Sequence, residues 1–211
     1  MSGFSAAIES ARALVPVAGG PPVVRPPPRL PGPPDAGELP WLRLWQAVEA
    51  GLPDRPRKVV QIAACADGEA DPAVAARLAR LVGRATGGGV VVLNDTPEAE
   101  GNGQPVAFGP LPGRGGDPRA LDPRALATYW RMLLRQARLV IVDTPPVLAS
   151  PLALAMAPTV DGVILVIEAE RTRAAIADAA RRALADCGAN LLGVVLNKRR
   201  FHVPGRLYRW L

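Results

Sequence analysis

Five short runs of β-branched and apolar residues recur along the chain: KVVQIA (58–63), GVVVLN (89–94), RLVIVD (138–143), GVILVIE (162–168) and LLGVVLN (191–197). Their apolarity is nearly continuous rather than alternating. Both faces of each strand must therefore be buried, which is what a parallel sheet covered by helices requires. Helical periodicity fills the gaps at 72–85, 122–137, 150–157 and 171–187. This alternation predicts an α/β fold, a doubly wound, mainly parallel sheet with helices on both faces. A further helix is expected ahead of the sheet over ELPWLRLWQAVEAGL, with Leu42, Trp45 and Val48 on one face and Gly51 and Pro53 ending it. Residues 95–121 are rich in glycine and proline and are expected to form a long surface loop, GRGGDP (113–118) included.

Three segments are expected. Residues 1–37 are proline-rich, ten prolines falling between 16 and 40, and should form an extended spacer outside the core. Ahead of the prolines, SAAIESARALV has Ile8, Ala11 and Val15 spaced for one short helix. Residues 38–197 hold the α/β domain, and with 49% hydrophobic side chains in 211 residues one sizeable core is expected. Residues 198–211 form a basic tail. No apolar run approaches the roughly 20 residues that span a bilayer, and Met1 to Val17 lacks the basic and apolar regions of a secretory signal, so a soluble protein is expected. Cys65 and Cys187 stand in no metal-ligand spacing and are expected to be buried structural thiols in a reducing compartment.

In open α/β sheets ligands gather beyond the carboxyl ends of the strands. The first such loop contains DGEADPAVAARLAR (67–80), where a strand hands over to a helix. A phosphate-binding loop reads G-x-x-x-x-G-K-[ST], with glycines for close backbone approach, a lysine on the phosphates and a hydroxyl on Mg²⁺. In register with the helix start, those positions hold Cys65, Ala70, Asp71 and Pro72, with Gly68 as the intervening glycine. Asp71 would repel a phosphate by about 4 kcal/mol per unit charge at ~4 Å. Pro72 removes a helix-terminal N–H donor. Asp71 as N-cap with Pro72 at the first helical position is nonetheless a good helix start. The loop keeps its fold signal and loses its phosphate chemistry.

LVIVDTPPVL (139–148) is the second candidate, because a strand-end aspartate such as Asp143 is the position that holds Mg²⁺ in P-loop enzymes. The continuation through DGVILVIEAERT to GVVLNKRR resembles the carboxyl half of the bacterial tyrosine kinases of capsular and exopolysaccharide biosynthesis. That family is a branch of the deviant P-loop ATPases, with the septum-site and partition ATPases. The resemblance covers about residues 38–211 and is strongest from Leu139 to Arg200. It implies a P-loop NTPase fold with Asp143 as the metal-associated acid if Mg²⁺ binds, Thr144 beside it, and Asn197 near a nucleotide base. GELPWLRLW resembles the family's helix with an E-x-x-R-x-x-R oligomerisation motif, of which Glu38 and a displaced Arg43 remain. The D-x-D-x-R of active members is replaced by LNDTPEAE, where Asp95 is out of step, and their tyrosine cluster by Tyr208. Degenerate Walker motifs imply a pseudoenzyme, with no cofactor expected and ATP with Mg²⁺ the alternative.

The tail KRRFHVPGRLYRWL carries five of the chain's basic residues and no acid, interleaved with Phe201, Leu207, Tyr208 and Trp210. It suits an anionic membrane surface or an acidic partner better than nucleic acid, for which no recognition element accompanies it; the alternative is that Tyr208 and Trp210 pack against the domain and only the arginines are exposed. His202, the sole histidine, leaves no histidine triad or cluster, and Trp41, Trp45, Tyr129 and Trp130 lie on helical apolar patterns and should pack. The resemblance implies a cytoplasmic, catalytically deficient protein, peripheral at the inner membrane. Its implied partner is the cytoplasmic region of a membrane polysaccharide co-polymerase. The rival expectations are an unconventional ATPase or autokinase drawing its lysine from Lys58 or Lys198, and a partition-type positioning protein.

Overall fold

The computed structural model describes residues 38–67, 69, 72–87, 89–95, 106–113 and 118–197. The expectations for 1–37, Gly68, Ala70, Asp71 and 198–211 therefore lie outside the described residues. In chain order the elements are α1 (Leu39–Gly51), β1 (Lys58–Ala64), α2 (Pro72–Thr86), β2 (Val90–Asn94), β3 (Val106–Pro110), α3 (Pro123–Leu133), β4 (Leu139–Thr144), α4 (Pro151–Met156), β5 (Gly162–Glu168), α5 (Ala174–Asp186) and β6 (Leu191–Asn197). The strands form one sheet in the order β3-β2-β4-β1-β5-β6, and every neighbouring pair is parallel.

Successive strand residues point to opposite faces, and the core divides accordingly. Val60, Ile62, Val92, Ile141 and Ile164 meet Trp45 and Val48 of α1 and Val74, Leu78 and Val82 of α2. On the other face Val59, Leu93, Val140 and Val142 meet Leu126, Trp130 and Leu133 of α3. Ala63, Val163 and Leu165 meet Ala153 of α4 and Ala180 and Leu184 of α5. Each large aliphatic side chain buried this way contributes about 1.5–3 kcal/mol. The α/β sheet covered on both faces is thus observed, and the aromatic residues pack: Trp45 and Trp130 are buried, and Trp41 and Tyr129 lie against the core clusters.

Proline opens helices here by a local rule. The Asp122 carboxylate accepts from the amides of Arg124 and Ala125 at 2.9 and 3.2 Å ahead of α3, and the Ser150 hydroxyl accepts from Leu152 at 3.3 Å ahead of α4. In both, proline takes the first helical position, where its missing N–H costs nothing.

Two expectations are corrected. Within the expected loop 95–121, Val106–Pro110 forms β3, and Pro118–Leu121 makes a 3-10 turn. An edge strand is hydrogen-bonded on one side only, so a proline-flanked VAFG can serve there, with Val106 buried and Phe108 packed on the core. The helix expected from 171 begins at Ala174, because Glu168 to Thr172 is a turn. The Thr172 hydroxyl accepts from the Glu168 amide at 2.9 Å, and Glu170 takes φ +66°. Among the described residues no helix is long and apolar enough to cross a membrane.

Candidate functional site

β1 and β4 lie side by side, but their chains leave in opposite directions: β1 leads to β2 beyond β4, and β4 leads to β5 beyond β1. The carboxyl ends of this pair form the topological switch point where open α/β sheets bind ligands. Register sets Asp143 opposite Ile62 and Thr144 opposite Ala63, so both stand at that edge beside the β1–α2 connection. After Thr144 the chain turns across the end of β1, where the amides of Val147 and Leu148 donate to the carbonyls of Ala64 and Cys65 at 2.9 and 3.1 Å.

Asp143 is half-buried, and Thr144 is buried. The Thr144 hydroxyl accepts from Gln61 Nε2 at 3.0 Å and faces the Ile62 carbonyl at 3.4 Å, so it is engaged inside the sheet. Asn197 ends β6, two strands from β1, and its carbonyl accepts from the Ala169 amide at 2.9 Å. That separation is about 10 Å across the sheet. The structure thus brings Cys65, Asp143 and Thr144 together and sets Asn197 apart.

Cys65 directly follows β1 and is fully buried. Burial, with the nearby charge of Glu69 adding to it, pushes its thiol up to about 11, so it stays protonated at neutral pH. Cys187 is only half-buried, its thiol donating to the Leu184 carbonyl at 3.1 Å, and both cysteines are free. Glu69 is 4% exposed, and its Oε2 has no hydrogen-bond partner. It is the residue the sequence reading passed over: a glutamate in a polar turn carries no local signal of burial. Asn94, at the end of β2, is buried too, with Oδ1 unpartnered, and Asp95 follows it half-buried. α2 begins at Pro72, as expected. Among the described residues no group of three or more His, Cys, Asp or Glu is arranged to hold a metal ion.

Lys58 is the first residue of β1, at the opposite end from Cys65. A strand of this length spans about 20 Å, beyond the reach of a lysine side chain. Of the two lysines in the chain, Lys58 therefore cannot serve this edge from within the same molecule, and Lys198 lies outside the described residues.

The arrangement of this sheet recurs in solved structures. The kinase domain of Escherichia coli tyrosine kinase ETK matches with a TM-score of 0.65 at 17% identity, over 93% of this chain and 90% of that one. This is the fold of a bacterial tyrosine kinase domain. A ParA family ATPase from Chlorobium tepidum TLS shares the kinase fold at a TM-score of 0.53 and 10% identity, over 67% of this chain and 74% of that one. In sequence, 62 residues are 40% identical to the tyrosine-protein kinase YwqD of Bacillus subtilis (strain 168). That match takes in 29% of this chain and 26% of the kinase, so it spans about a quarter of the relative's length. No protein-family model matches the chain. The resemblance to bacterial tyrosine kinases therefore holds in local sequence and in fold. Just ahead of α1, Glu38 forms an ion pair with Arg84 of α2 in the same molecule, and Arg43 of α1 is exposed.

Proposed function

We propose that this chain is a catalytically deficient, tyrosine-kinase-like protein of exopolysaccharide or capsule biosynthesis, acting as a cytoplasmic regulatory or scaffold partner of a membrane polysaccharide co-polymerase. One observation carries the loss of catalysis. The β1–α2 connection, where this fold places its phosphate loop, opens with a buried neutral thiol at Cys65 and encloses the carboxylate of Glu69. Neither group attracts a phosphate, and the sequence adds Asp71 and Pro72 where a lysine and a hydroxyl would stand. The described residues of this connection therefore do not fit ATP. The polysaccharide context and the membrane partner rest on the resemblance, and the basic tail 198–211 suits attachment to an anionic inner-membrane surface.

Calorimetric titration of the full chain with ATP and with ADP, each with Mg²⁺, tests the reading. No heat is expected at millimolar nucleotide. Asp71→Lys with Pro72→Ser is expected to restore measurable binding only if the backbone still forms a cradle. Mg²⁺-dependent micromolar binding by the natural chain, abolished in Asp143→Ala, would overturn the reading in favour of an unconventional ATPase or autokinase. That rival draws on the placement of Asp143 beside β1.

A further inference from the structure

At the opposite edge of the sheet, beneath the amino ends of β1 and β5, an open cleft of about 420 Å³ lies against the end of α3. Four guanidiniums line it, Arg55, Arg57, Arg131 and Arg135, against a single carboxylate, Asp161. That carboxylate is already committed. Its Oδ2 accepts from the Val59 amide at 2.7 Å, and its Oδ1 pairs with Arg55. Arg57 donates to the Leu134 carbonyl, covering a negative helix end that would otherwise repel an anion. Among the described residues, Arg131 bonds within its own helix, to the Ala127 carbonyl at 3.3 Å and the Thr128 hydroxyl at 3.0 Å. Among the described residues no acid neutralises Arg57, Arg131 or Arg135.

The floor of the cleft is of the other kind. Val59, Leu134 and the indole of Trp130 form it, and the Trp130 N–H is satisfied by Thr159 at 3.0 Å. Three unneutralised forks around an apolar floor match carboxylates flanking an apolar side chain, since guanidinium pairs with carboxylate in a planar, two-bond geometry. A nucleic-acid backbone would instead call for a stripe of charge running along the surface. We infer that this cleft docks an acidic peptide segment of a partner protein, its carboxylates on Arg131 and Arg135 and an apolar side chain against Trp130. The inference is independent of the proposed loss of nucleotide binding, which concerns the other edge.

The test is fluorescence anisotropy of the full chain with a fluorescein-labelled pentapeptide, four glutamates around a central leucine. Saturable binding is expected, weakened about tenfold or more in an Arg131→Ala, Arg135→Ala double variant. An Arg77→Ala, Arg80→Ala variant removes the same charge from α2 and should bind within about twofold of the natural chain. Circular dichroism should show both variants folded, as expected for exposed positions. Equal weakening in the two variants would reduce the effect to net charge and overturn the proposal. So would absent binding at millimolar peptide, equal affinity for a peptide with four lysines, or tighter Arg131- and Arg135-dependent binding to oligothymidylate or phosphatidylglycerol vesicles.

Discussion

Gln61 on β1 donates through Nε2 to the hydroxyl of Thr144 on β4 at 3.0 Å, and to the Ala153 carbonyl of α4 at 2.9 Å. Gln61 is fully inaccessible, with Oε1 unpartnered, so one polar side chain ties two strands and a helix together just under the candidate nucleotide edge. Thr144, at the end of β4 beside Asp143, is thereby part of the internal scaffold.

Thr144→Val keeps the shape and removes the hydroxyl. It is expected to cost about 1–2 kcal/mol in urea denaturation, because a buried amide loses one acceptor. Gln61→Ala also opens a cavity and should cost about 2–4 kcal/mol.

Asp161 holds the amide of Val59 from inside the protein, and its carboxylate is nearly inaccessible. Asp161→Ala should destabilise by about 1–3 kcal/mol, since it leaves the buried Val59 N–H without its acceptor, while the exposed Arg55 turns to solvent. Asp161→Asn retains an acceptor for Val59 and should cost clearly less. Thermal melts of the two variants rank them.

Alkali should act through Cys65. The folded thiol titrates near 11 rather than at its ordinary 9.0, so the unfolded chain releases its proton first. Stability from this group is complete below about pH 9 and is lost as pH rises from about 9 to 11. Cys65→Ala should flatten the fall of the urea midpoint across that window. The half-buried Tyr129, pushed up from 10.0 to about 12 by burial, leaves a residual slope at higher pH.

Gly162 in β5 lies under the side chain of Leu192 in β6, where an added Cβ would come within 2.5 Å of Cδ1 and 2.6 Å of Cγ. Gly162→Ala is expected to cost about 1–3 kcal/mol by overpacking. Gly162→Ala combined with Leu192→Ala should recover part of that loss, read by chemical denaturation.

The five apolar runs were legible as buried parallel strands because burial on both faces is written into each run locally. Pro72 was legible as the start of α2 for the same reason, since proline's fixed φ acts within one residue. β3 was not, because an edge strand needs a single partner and tolerates the prolines that read as loop. Asp143 could be nominated from LVIVD, but only the strand order set it beside β1 and removed Lys58 to the far end of the same strand. Glu69 and the arginine cleft had no sequence signal. The cleft gathers Arg55, Arg57, Arg131, Arg135 and Asp161, distant in the chain, and the burial of Glu69 depends on what packs over it. The sequence by itself determined which segments bury both faces. Only the tertiary structure decided which charges meet, because strand pairing is non-local and no spacing along the chain encodes it.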